Sequence, residues 1–205
     1  MQIDFVFQIA ILIMSVVIHE VSHGAVANML GDPTAKLQGR LTLNPLKHLD
    51  MFGSVIVPAI SYFFGGFIFG WAKPVPYNPY NLKPGRWSEA MVAGAGPASN
   101  LSLAILFGLL LRFGLNQGWN EGFVHITSLV VFVNLLLMVF NLVPIPPLDG
   151  SKLLYAFFPE KMFQFRGFFE RYGLILVFFF IFFIWQFISP VIFVLFHLIT
   201  GVALG

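Results

Sequence analysis

Five apolar runs set the terms for this chain: Phe5 to Leu30, Phe52 to Trp71, Ala90 to Leu115, Val124 to Val143 and Tyr172 to Leu204. Each lies near the ~20 residues that carry a helix across the hydrocarbon of a bilayer, where backbone polar groups must be satisfied within the segment itself. Of the 205 residues, 58% are hydrophobic and 10% charged, against roughly 25% charged in ordinary soluble domains. The expected fold is an all-α polytopic membrane protein with about five to six transmembrane or re-entrant helices.

The first run invites comparison with a signal peptide. However, Met1 to Ile18 carries Asp4 in place of a basic flank and no A-x-A cleavage site follows it, so a retained helix is expected. A shorter segment, Leu153 to Phe169, mixes Phe with Lys161 and Arg166 and is followed by Glu170 and Arg171, a pattern expected of an interfacial helix. The polar connections are too short for a soluble domain of ordinary size, and a single integral-membrane domain over residues 1–205 is expected.

Cations are unevenly placed. Lys36, Arg40 and Lys47 follow the first run, Lys73, Lys83 and Arg86 the second, and Lys152, Lys161, Arg166 and Arg171 the fourth, leaving Arg112 elsewhere. The positive-inside rule puts these three loops on the cytoplasmic side of a cell membrane, so the run Phe52 to Trp71, flanked by two of them, is expected to be re-entrant or to return through the Pro-rich stretch Lys73 to Pro84. With a net charge of +2 and no basic run interleaved with aromatics, nucleic acid is not an expected partner. Between the first two runs, Leu37, Gly39, Leu41 and Leu43 alternate with Gln38, Arg40, Thr42 and Asn44. This period of two predicts a small membrane-associated β segment near residues 37–43 that could pair with an extended peptide.

Within the first run, His19, Glu20, Val21, Ser22 and His23 spell H-E-x-x-H. On a helix, His19 and His23 project from one face and can share a Zn²⁺ ion, with Glu20 placed to reach an activated water. Catalytic zinc needs a third protein ligand. There is no Cys, so the ligand must be His, Asp or Glu. Asp149 is the best candidate: it follows a Pro-rich break directly after the fourth run, and a carboxylate so close to lipid is costly unless paired.

The H-E-V-S-H at 19–23, the A-G-A-G-P-A-S-N at 93–100 and the N-L-V-P-I-P-P-L-D-G at 141–150 resemble the site-2 protease family of intramembrane zinc metalloproteases. The L-N-P-L-K-H-L-D at 43–50 and G-W-A-K-P-V-P at 70–76 resemble its compact prokaryotic branch, without a PDZ or CBS domain. The resemblance spans nearly the whole chain in the family's order. It implies one Zn²⁺ per chain held by His19, His23 and Asp149, with Glu20 as general base. Asn141 matches the family's asparagine and is the candidate second donor to the oxyanion. The implied substrates are transmembrane proteins or peptides cut within the bilayer, with a role in regulated intramembrane proteolysis.

The remaining polar residues read as structural. Gly94, Ala95, Gly96, Ala98 and Ser99 form overlapping small-x-x-x-small pairs suited to close helix packing. Asn100 is read as a cap or cross-link in the bundle, His48 as a hydrogen-bonding loop residue, and His125 and His197 as interfacial or packed. The alternative to a protease is a zinc-binding membrane protein without proteolysis, either a carrier or a scaffold. A carrier is expected to show internal repeats and ionisable residues along a midplane path, and a scaffold has no need of Glu20.

Overall fold

The computed structural model describes residues 2–50, 52–56, 73–157 and 163–202. α1 (Gln2–Met29) is followed by the short α2 (Thr34–Leu37), and after the loop residues come α3 (Arg86–Asn116), α4 (Glu121–Asn141), α5 (Asp149–Phe157) and α6 (Phe163–Phe179). A π turn at Phe180–Ile184 joins α6 to α7 (Trp185–Thr200). Among the described residues, four stretches are long and apolar enough to cross a membrane: Val6–Met29, Trp87–Asn116, Glu121–Asn141 and Arg166–Thr200. The re-entrant reading of Phe52 to Trp71 falls mostly outside the described residues; Phe52–Ile56 alone forms a π turn.

Local chemistry sets the helix ends. α1 stops where Gly31 turns to a φ of 111° and Asp32 donates its N–H to the Ala27 carbonyl, with Pro33 next. α3 ends at Gly118, whose φ of 67° supports two closing bonds, Gly118 N–H to Leu115 O and Trp119 N–H to Gly114 O. Asn120 then caps α4 through its side chain, which accepts from the Gly122 N–H. This tight connection makes α3 and α4 an antiparallel pair. Between them and α7 lies the main apolar core, built on Ala104, Leu111, Val131, Leu135, Met138, Val139, Ile192 and Phe196.

One expectation is corrected. Among the described residues there is no strand, and the segment 37–43 is the end of α2 and a loop. Gly39, at a φ of 63°, reverses the chain, and the bonds Gly39 N–H to Lys36 O and Arg40 N–H to Ala35 O close the helix end. The alternation also fails to separate an inside from an outside: Leu37 is 80% exposed while Arg40 is 7% exposed. Of the segment Leu153 to Phe169, residues 153–157 close α5 and residues 163–169 open α6.

Candidate metal centre

α1 contributes both histidines. His19 and His23 are each under a tenth exposed, and their Nε2 atoms lie 3.0 Å apart. Asp149, at the start of α5, brings Oδ2 to 3.1 Å from His19 Nε2 and 3.2 Å from His23 Nε2. The Pro-rich turn after α4 delivers it there. Gly150 is needed at this turn, because a Cβ on it would collide with the Leu142 carbonyl.

The outer nitrogens show what the inner ones can do. His23 Nδ1 lies 2.7 Å from the Val92 carbonyl, which only accepts, so Nδ1 carries the hydrogen. His19 Nδ1 lies 2.6 Å from Asn100 Oδ1 and donates in the same way. Both Nε2 atoms are then lone pairs aimed at each other and at a carboxylate, an arrangement that requires a cation in their midst. A proton on one ring supplies one. Burial raises the Asp149 pKa, but its close contacts with the His19 and His23 rings outweigh it and hold this carboxyl well below the usual carboxylate range.

A divalent metal satisfies all three at once. His, His and Asp ligand atoms grouped within 4.8 Å of one another could hold an ion, and tetrahedral zinc places its ligand atoms about 3.3 Å apart.

Asn100 lies in a buried network that crosses three helices. Its Nδ2 donates to Asn134 Oδ1 of α4 at 2.9 Å, and Asn134 Nδ2 donates to Ser15 Oγ of α1 at 3.0 Å. The cross-linking reading of Asn100 therefore holds, but its link to His19 was not legible from spacing alone. Gly96 is a second residue the sequence undersold. A Cβ there would lie 2.5 Å from both His19 Nε2 and His23 Nε2, so α3 can back the two rings only as glycine.

Glu20 lines a cavity of about 170 Å³ together with His19, His23, Asn141, Asp149 and Lys152. Its Oε2 accepts a hydrogen bond of 2.7 Å from the Val75 N–H. Asn141 faces the same cavity, with its Nδ2 bonded to the Leu137 carbonyl one turn back at 2.9 Å. His48 is buried in the loop and bonds through Nε2 to the Thr42 carbonyl at 2.9 Å, the role expected of it.

A family model described as peptidase family M50 matches residues 109–184, the part containing Asn141 and Asp149. The Bacillus subtilis (strain 168) protein named "Putative zinc metalloprotease YwhC" is 38% identical over 185 residues, covering 87% of this chain and 78% of that protein. The similarly named Rip2 of Mycolicibacterium smegmatis is 35% identical over 150 residues, covering 71% of this chain and 55% of its own length. Rip2 of Mycobacterium tuberculosis is 29% identical over 155 residues, or 73% of this chain and 56% of that protein. The match thus spans little more than half of each Rip2 protein. No solved structure matches the chain.

Proposed function

Because this chain belongs to peptidase family M50, the site-2 protease family, we propose that it is an intramembrane zinc endopeptidase that cuts membrane-protein substrates within or near their transmembrane helices. The observation that carries this reading is the convergence of His19, His23 and Asp149 beside Glu20 in one cavity. His19, His23 and Asp149 hold the zinc ion, which when bound acts as a Lewis acid and lowers the pKa of water. Glu20 takes the proton from the attacking water and passes it to the departing amide nitrogen. Asn141 lines the same cavity, and the Nδ2 hydrogen not given to the Leu137 carbonyl donates to the developing oxyanion.

The reaction also constrains the substrate. The carbonyls of an intact helix are engaged in hydrogen bonds to the N–H four residues on, so the reacting segment has to unwind before its carbonyl is reached. Such a helix reaches the enzyme through the lipid bilayer. The clustering of Lys and Arg in the loops beside His23 and Asp149 supports a site toward the cytoplasmic side. There, cleavage would release a membrane-tethered cytoplasmic segment, the chemistry that regulated intramembrane proteolysis needs.

The test is cleavage of a panel of single-span reporter helices by the detergent-solubilised protein and its Glu20→Gln and Asp149→Ala variants, with zinc measured in the same samples. Wild type is expected to cut, Glu20→Gln to keep zinc without cutting, and Asp149→Ala to lose the metal. If Glu20→Gln cuts as wild type does, the base assignment fails. If zinc is bound but no reporter is cut, the carrier or scaffold reading takes over.

A further inference from the structure

The segment 73–78 has no regular hydrogen-bonded structure, yet its form is tightly set by its sequence. Lys73, Val75 and Asn78 each precede a proline, which drives them to extended backbone. Pro74 and Pro76 have no N–H, so Val75 supplies the one backbone donor in that tripeptide, and it goes to Glu20 Oε2 at 2.7 Å.

Both ends of the segment are held by buried charged side chains. At the first, an Arg40 terminal nitrogen donates to the carbonyls of Lys73 at 2.8 Å and Pro74 at 3.3 Å, and the Lys73 N–H bonds the His48 carbonyl at 2.9 Å. At the second, Asp32 Oδ2 accepts from the Asn78 N–H at 2.6 Å, and Oδ1 from the Asn81 amide at 2.9 Å. Between the clamps, Val75 presses on Gly24 of α1, where an added Cβ would lie 2.6 Å from Val75 Cγ1. Gly24 and Glu20 are four residues apart and share a helix face. The packing that seats Val75 is therefore the packing that brings its N–H to Glu20.

We propose that residues 73–78 form a strap whose Val75 N–H orients the Glu20 carboxylate, and that Arg40 is a positioning residue acting through that strap. Arg40 is 93% buried by the 7% exposure of its side chain and backbone together, and its Nε has no hydrogen-bond partner. Burying a guanidinium is expensive unless its bonds do something specific, and both hydrogen bonds from its terminal nitrogen hold the strap. With Oε2 committed to Val75, Oε1 is left for the water, and the carboxylate cannot swing away. This inference rests on the reading of Glu20 as the base.

Val75→Pro removes the N–H while keeping extended backbone, and Val75→Ala removes the side-chain packing while keeping the N–H. The expected result is a kcat for Val75→Pro at least about tenfold below that of Val75→Ala, with KM and zinc content alike in the two. Arg40→Leu is expected to lower kcat by about tenfold, with partial recovery in Arg40→Lys, and zinc retained in both. A readout independent of activity is hydrogen exchange at the Val75 amide in metal-free protein, which should be at least about tenfold faster in Glu20→Ala than in wild type. Equal kcat for the two Val75 variants, or equal exchange rates, overturns the proposal even if a variant folds poorly. If Glu20→Gln still cuts, the base reading itself fails; if it is inactive while the Val75 variants match, this inference alone fails.

Discussion

On the helical side of the cavity, His19 is held by Asn100, Asn134 and Ser15, side chains from three helices bonded to one another with almost no exposure. On the loop side, Glu20 is held by a backbone N–H of the strap, whose ends are tied by Arg40 through two carbonyls and by Asp32 through the Asn78 N–H. The helices already carry their own backbone hydrogen bonds, so each ring needs little more than an acceptor behind it. The loop has no such ladder, so buried charges must stand in for it. Losing an amide on the first side should tilt one ring, whereas losing a charge on the second should free a whole segment.

The largest effect should come from crowding the helical side. Gly96→Ala would put a Cβ 2.5 Å from His19 Nε2 and His23 Nε2, and a shift of about 1 Å in such groups costs ~10²-fold in activity. Zinc affinity and reporter cleavage should fall together; wild-type values for both would show that α3 can move away freely. Asn100→Leu should be next, weakening zinc binding by about 10- to 100-fold because the His19 ring loses its partner. Asn134→Leu, acting one bond further out, should cost less, and equal losses would contradict the order of the network.

On the loop side, burial raises the Asp32 pKa, but bonds from the Thr34 hydroxyl, the Asn81 amide and two backbone N–H groups lower it further, to below its ordinary 3.8. Its contribution to stability is thus complete above that value and is lost as pH falls through the lowered one. Thermal unfolding of wild type should therefore drop more steeply below about pH 4 than that of Asp32→Asn, and parallel curves would remove Asp32 as a clamp. Above that range, Asp32→Ala should cost about 1–3 kcal/mol by stranding its donors. The smallest effect belongs to α7. Phe187 is 74% exposed, and Phe187→Leu should change stability by no more than about 0.5 kcal/mol and leave zinc affinity alone.

These two sides also differ in how far the sequence revealed them. Hydropathy located the spans of α1, α3 and α4, and H-E-x-x-H placed His19 and His23 on one helical face before any coordinates. The loop side misled, since the alternation over Leu37 to Leu43 mimics a strand while Gly39 reverses the chain and Arg40 turns inward. Gly96 reads as a packing residue and Asn100 as a cap or cross-link, and nothing in their own helix indicates that they meet His19. That meeting depends on how α3 crosses α1, a property of the assembled bundle.

The central claim is a metal centre that works with Glu20, and metal removal tests it most directly. Zinc should be stripped from the wild-type protein with a chelator and returned stepwise while reporter cleavage and bound zinc are followed together. Cleavage is predicted to vanish with the metal and to return in proportion as one zinc per chain rebinds, while Glu20→Gln rebinds zinc and stays inactive. Cleavage that survives complete stripping would contradict the account.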